Sequence, residues 1–187
     1  MSDSLGGRIV QISAFAGGVP KRALAEAQVD GGGITVDRQT DLRAHGGPRR
    51  ALCLFAWERI ETLAAEGHFI APGSTGENIT TSGIDWGRVT PGARLRLGGC
   101  VLVEVTDYAA PCWKNARWFA DGDTGAIDQQ ARPGFSRVYA RVVEGGALRP
   151  GDTVVLTPAT PAQRVERARI PTVRWRPPSA EGGGPRS

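Results

Sequence analysis

The chain has 187 residues, 40% of them hydrophobic and 22% charged, proportions that suit one soluble globular domain able to bury its own core. Its net charge of +4 lies wholly in residues 159–187, where six arginines face two glutamates, and the rest of the chain carries 17 basic and 17 acidic side chains. A neutral body speaks against nucleic-acid binding, and the absence of a long apolar span speaks against a membrane helix.

Three cysteines with no Cys-x-x-Cys pair, and only two histidines, argue against a structural zinc site. Met1-Ser2-Asp3-Ser4 shows no basic segment followed by an apolar one, so a cytoplasmic protein with reduced thiols is expected.

The 26 glycines and 13 prolines punctuate short apolar runs, a pattern of many short strands and turns. Residues 8–13 read as the first strand, Gly17-Gly18-Val19-Pro20 as a turn and 26–29 as a short second strand, before the break at Gly31-Gly32-Gly33. Residues 34–50 read as one long loop rich in Asp, Arg, His and Gly. Loops of that length in compact domains are usually functional or disordered. Residues 51–55 predict a buried strand with Cys53 as filling. Over 57–66, Trp57, Ile60 and Leu63 recur at spacings of three among charged neighbours, which predicts a helix stopped by Gly67.

A glycine-rich loop, 71–78, then feeds a strand at 79–81. Residues 89–97 and 148–156 share one construction, a Pro-Gly turn opening into an alternating strand. The apolar run from Val101 predicts a strand ending at Pro111, which has no N–H to give a neighbour. Cys112 then sits where the strand opens into a turn, with Lys114 and Arg117 close behind; nearby cations favour the thiolate. The other reading of Cys112 is a small apolar side chain packed under a loop. Cys100 reads as core. A helical turn at 115–119, an acidic loop at 121–123 and an alternating strand at 137–143 complete the body. Seven or eight short strands with one or two short helices predict a mainly β fold, a small β-barrel over residues 1–158. Residues 159–187, rich in Arg, Pro and Gly, read as a mobile extension.

His45-Gly46-Gly47 with Arg49 and Arg50 can be an anion cradle or a plain turn. Gly73 to Asn78 has the same two readings, and no Gly-Lys-Ser/Thr follows to make it a P-loop. Asp121 and Asp123 lack the other ligands of a calcium loop, and no Gly-x-Ser-x-Gly elbow is present.

In order and spacing these pieces resemble the MOSC domain family, relatives of the C-terminal domain of molybdenum cofactor sulfurase, in the form of a standalone bacterial-type member. The resemblance rests on Gly33-Ile34 with Asp37-Arg38-Gln39, on His45-Gly46-Gly47-Pro48 before Arg50-Ala51-Leu52, and on Pro72-Gly73 with Gly76-Glu77-Asn78-Ile79. It continues through Pro91-Gly92-Ala93-Arg94-Leu95, Pro111-Cys112, Ser136 to Val142 and Pro150-Gly151-Asp152, covering about residues 8–157. Val36 stands where many relatives have glycine, and Trp113 separates Cys112 from Lys114.

The resemblance implies a barrel-like fold and a pocket for the molybdenum cofactor, a metal-bearing molybdopterin. In that pocket the Cys112 thiolate would bind molybdenum or carry sulfur as a persulfide. Asp37, Arg38, His45, Gly46, Gly47, Arg49, Gly73, Gly76, Glu77, Asn78, Lys114 and Arg137 are implied as the cofactor-binding set. The expected activity is reduction of N-hydroxylated or N-oxygenated small molecules. A sulfur carrier and a non-enzymatic pterin- or anion-binding module are the alternatives. No cysteine set for an iron–sulfur cluster is present, so electrons would come from a separate donor protein, or sulfur from a separate sulfur donor. Pyridoxal phosphate is not expected, and a sulfur carrier would need its donor because the chain has no room for the aminotransferase-like domain that generates sulfur in the sulfurases. Neither nucleic acid nor membrane is an expected partner.

Overall fold

Apolar residues at every second position of short strands can close a sheet on itself and fill its inside, and this chain does so. The computed structural model describes residues 6–15, 17–37 and 46–159. In chain order its strands are β1 (Gly6–Ala14), β2 (Arg22–Leu24), β3 (Ala27–Asp30), β4 (Gly33–Ile34), β5 (Leu52–Ala56), β6 (Ile79–Ser82), β7 (Arg94–Leu97), β8 (Val101–Tyr108), β9 (Val138–Glu144), β10 (Gly146–Leu148) and β11 (Thr153–Thr157). The α-helix among the described residues, α1 (Trp57–Ala65), lies between β5 and β6.

Seven strands form a ring in the order β1, β11, β7, β8, β9, β5, β6, closed by the pairing of β6 with β1. The fold is mainly β, a closed barrel. β2 adds to β1 outside the ring, and β10, β3 and β4 make a separate three-stranded sheet. The two alternating strands read from the Pro-Gly turns are hydrogen-bonded to each other, Leu95 opposite Leu156 and Leu97 opposite Val154. Those four side chains, with Val101, Val103 and Val105 of β8, are at most 2% exposed. At about 25 cal/mol per Å² of apolar surface, such side chains supply the main drive for closure.

One pair in the ring is parallel, β5 with β6. A parallel pair needs a crossover, and α1 provides it. Ile60 and Leu63 are its buried residues, and its C-terminus is satisfied by a Schellman arrangement in which Gly67 N–H donates to Ala64 O (3.0 Å) and His68 N–H to Leu63 O (3.1 Å). Gly67 has φ +94°, which explains the glycine. All five residues of β5 are buried, as expected of a strand covered on both faces.

Four expectations are corrected. The stretch read as loop from residue 34 begins inside β4, and a 3-10 turn, Pro48–Arg50, precedes β5. β8 ends at Tyr108, short of Pro111, because after Ala109 N–H donates to Arg137 O (2.9 Å) the chain leaves the ladder. Cys100 is exposed and not core: it lies in the turn between β7 and β8, and the apolar run that suggested burial begins one residue later. Ala159, assigned to the extension from sequence, is 4% exposed and packs in the core. The expected mobility concerns residues 160–187, which lie outside the described residues. No helix among the described residues is long and apolar enough to cross a membrane.

Candidate functional site

The glycine-rich loop before β6 is built around buried polar side chains. Glu77 is fully buried; its carboxylate accepts from Gly73 N–H (2.6 Å) and from the Thr75 hydroxyl (2.9 Å). Burial pushes the Glu77 carboxyl above its ordinary pKa, and these bonds with the neighbouring Arg137 charge pull the other way. Gly73 has φ +85°, and a Cβ there would lie 2.5 Å from Lys21 O. Gly76 has φ +89°, with Val19 Cγ1 2.9 Å from where its Cβ would be. Both positions need glycine, and the space beside each is filled by the protein's own residues.

Asn78 joins this loop to the barrel. Its amide oxygen accepts from Cys53 N–H (3.0 Å), and its amide nitrogen donates to Ser13 O (3.2 Å) and to the Asp37 carboxylate (2.8 Å). Asp37 also accepts from Phe15 N–H (2.9 Å) and pairs with Lys21 Nζ at 2.5 Å, its side chain only 4% exposed. Asp37, Glu77 and Asn78 are therefore hydrogen-bonded scaffolding at the inner ends of their loops.

Cys112 precedes a 3-10 segment, Trp113–Trp118, is half-buried, and makes no capping hydrogen bond. Its backbone O accepts from Asn115 N–H (2.8 Å). The Asn115 side chain is 2% exposed and donates to Thr75 O (3.4 Å). Arg137, 4% exposed, donates from one Nη to the same Thr75 O and from the other to Ala110 O (3.4 Å). Its Nε is buried without a hydrogen-bond partner.

Beside these groups Cys53, Ala109 and Tyr139 form a small buried cluster apart from the main core. Cys53 is opposite Tyr139 in the β5–β9 register. Burial pushes the Cys53 thiol up to about 11, against the pull of Arg137. The Tyr139 phenol is pushed up to about 12, first by burial and then by Cys53; Arg137 and Arg50 lower it, and Cys112 adds a small rise. Tyr139 thus stands within electrostatic reach of both thiols. The Arg50 guanidinium lies over its ring, 5.2 Å from the centroid, and 3.8 Å from Asp107.

The implied cofactor-binding set therefore divides. Asp37, Gly73, Gly76, Glu77, Asn78 and Arg137 hold backbone. Arg49 and Lys114 are exposed, and Gly47, with φ +87°, leads into the 3-10 turn. Gly46 is half-buried, and Arg38 and His45 lie outside the described residues. Sequence reasoning missed Lys21, Tyr139, Asn115 and the role of Arg50. For Arg50 there was a signal, a second arginine in the motif; for the others there was none, because their partners are remote in sequence.

The model of the MOSC domain matches residues 41–155. YiiM of Escherichia coli (strain K12) is 36% identical over 131 residues, 64% of this chain and 57% of that protein. YflK of Bacillus subtilis (strain 168) is 33% identical over 124 residues, 64% of this chain and 53% of that protein. The chain thus spans a little over half the length of these relatives. The crystal structure of YiiM from Geobacillus stearothermophilus superposes with a TM-score of 0.63 at 26% identity, over 81% of this chain and 75% of that one.

Proposed function

Since the chain belongs to the MOSC domain family, which is associated with molybdenum-cofactor chemistry, we propose that it is a molybdenum-cofactor-binding oxidoreductase, reducing N-hydroxylated or N-oxygenated small molecules with the Cys112 thiolate as metal ligand. The observation that carries this reading is the setting of Cys112 among the three thiols. Cys53 is buried, Cys100 sits on a hairpin turn, and Cys112 alone is half-exposed beside a buried polar cluster.

The donor set fits the cofactor. Among the described residues no group of three or more His, Cys, Asp or Glu converges to cage a bare metal ion. One soft thiolate suits a metal that arrives with a pterin's own sulfur ligands. Bound there, the cofactor would supply two-electron redox chemistry. The chain's part is to hold it: Cys112 through sulfur, and the Gly46-Gly47 backbone with Arg49 and Lys114 toward its anionic end, a role that extends to Arg38 and His45. The reaction R–NHOH plus two electrons and two protons gives R–NH2 and water. The electrons come from a separate donor protein, because three dispersed cysteines cannot ligate an iron–sulfur cluster.

The test is molybdenum and pterin content of natively purified wild type and Cys112→Ser, followed by reduction of an N-hydroxylated amidine with a reduced viologen dye. Wild type should carry stoichiometric molybdenum and turn over; the variant should lose the metal and keep its melting temperature. Sulfane sulfur on Cys112 without molybdenum would instead support the sulfur carrier. Pterin without turnover would leave a binding module.

A further inference from the structure

Arg137 entered the candidate set as a cofactor contact, but its geometry suits another task. At 4% exposure it presents almost nothing to a ligand. Its two Nη groups are spent on backbone carbonyls of different segments: Thr75 O in the glycine-rich loop and Ala110 O, two residues before Cys112. On the other side of Cys112, the buried Asn115 reaches the same Thr75 O with its amide, and its N–H donates to Cys112 O. The span 110–115 is therefore tied at both ends to one carbonyl oxygen, and Cys112 lies between the ties. Its own side chain makes no capping bond, so its place is set by these neighbours.

We propose that Arg137 is a positioning residue, a buried strut that with Asn115 fixes Cys112 against the glycine-rich loop. Glu77 lies within electrostatic reach of this guanidinium, whose charge favours the ionised carboxylate against the effect of burial. An ammonium could balance Glu77 but has no planar fork to bridge two carbonyls, so lysine should preserve the charge and lose the strut. This inference rests on Cys112 being the reactive group, yet it can be read without the cofactor.

The experiment uses cofactor-free full-length protein in a Cys100→Ser background, with the rate of Cys112 alkylation by iodoacetamide followed by mass mapping well below the melting temperature. Arg137→Lys should raise the rate about tenfold, which is about 1.4 kcal/mol by the usual conversion. Asn115→Ala, which removes no charge, should raise it in the same direction. Amide exchange over 110–115 should accelerate in both. If Arg137→Lys does not fold, the Asn115→Ala rate decides alone. Rates within twofold of wild type, with cofactor occupancy lost only in the Arg137 variant, would overturn the strut in favour of a direct anion contact. Wild type that never acquires molybdenum would sink the proposed function while leaving an alkylation effect, and hence the strut, standing.

Discussion

Gly73 and Gly151 have nearly the same φ, +85° and +92°, in different surroundings, and the pair isolates what close chain approach contributes to the site. An alanine at either position must adopt a left-handed conformation, which costs about 1–2 kcal/mol. At Gly151 nothing lies within 4 Å of the added Cβ, so the cost should end there. At Gly73 the Cβ would fall 2.5 Å from Lys21 O, inside any real contact distance. Relief requires Lys21 to move, and Lys21 N–H is also the donor to Gly73 O at 2.9 Å. Overpacking adds about 1–3 kcal/mol, and weakening that bond about 0.5–1.5 kcal/mol. We therefore expect Gly73→Ala to cost about 3–6 kcal/mol and Gly151→Ala about 1–2 kcal/mol, against a typical total stability of about 5–15 kcal/mol. Urea unfolding with m-values compared between variants measures both. Equal losses would show that the glycine-rich loop is not clamped to the Lys21 backbone. A loss of cofactor occupancy at Gly73→Ala with unchanged stability would show that the glycine leaves room for a ligand.

Asn78→Ala should destabilise by about 2–4 kcal/mol in the same assay, because it strands the buried Cys53 N–H and removes a donor to Asp37; a loss below half a kcal/mol, on the order of surface substitutions, would refute the scaffold role. Native alkylation should modify Cys100 and Cys112 before Cys53, whose thiol is buried and pushed up to about 11; mass mapping that finds Cys53 labelled ahead of Cys112 would refute the assignment. Glu77 gives a pH prediction. Its folded pKa is raised by burial, so its contribution to stability is full below the ordinary value of 4.5 and is lost as pH rises through the folded value. Glu77→Gln removes that dependence, so urea midpoints of variant and wild type should move in the variant's favour as pH climbs from 4.5; a constant or opposite difference contradicts the raised pKa.

Much of the barrel was legible because its signals are local. Trp57, Ile60 and Leu63 mark one helix face within seven residues, and Leu95, Leu97, Val154 and Leu156 alternate as strands facing a core must. Cys100 was misread because a hairpin turn can border an apolar run without joining it. The site was legible as a set of residues but not as a division of labour. Asp37 and Asn78 look alike as polar loop residues whether they face a ligand or each other, and the 2.8 Å bond between them spans parts of the chain that no local pattern connects. Tyr139 reads as one member of an alternating strand; its place beside Cys53 follows from the register of β5 with β9.

Within the ring, the first strand among the described residues meets the last, Gly6 opposite Val155. A ribosome adding about 5–20 residues per second needs roughly 8–30 s to make the second partner after the first. During that interval β1 can pair with β6 and β2, but the edge it will offer to β11 stays open. β7 and β8 can form their hairpin in the meantime, with β7 waiting for the same strand. Contacts this distant in sequence make closure slow, in the range of milliseconds to seconds once all strands exist. An open strand edge is also a template for another chain. The start of β1, Gly6-Gly7-Arg8, combines two residues of poor strand propensity with a charge, a composition that discourages wrong pairing until β11 arrives.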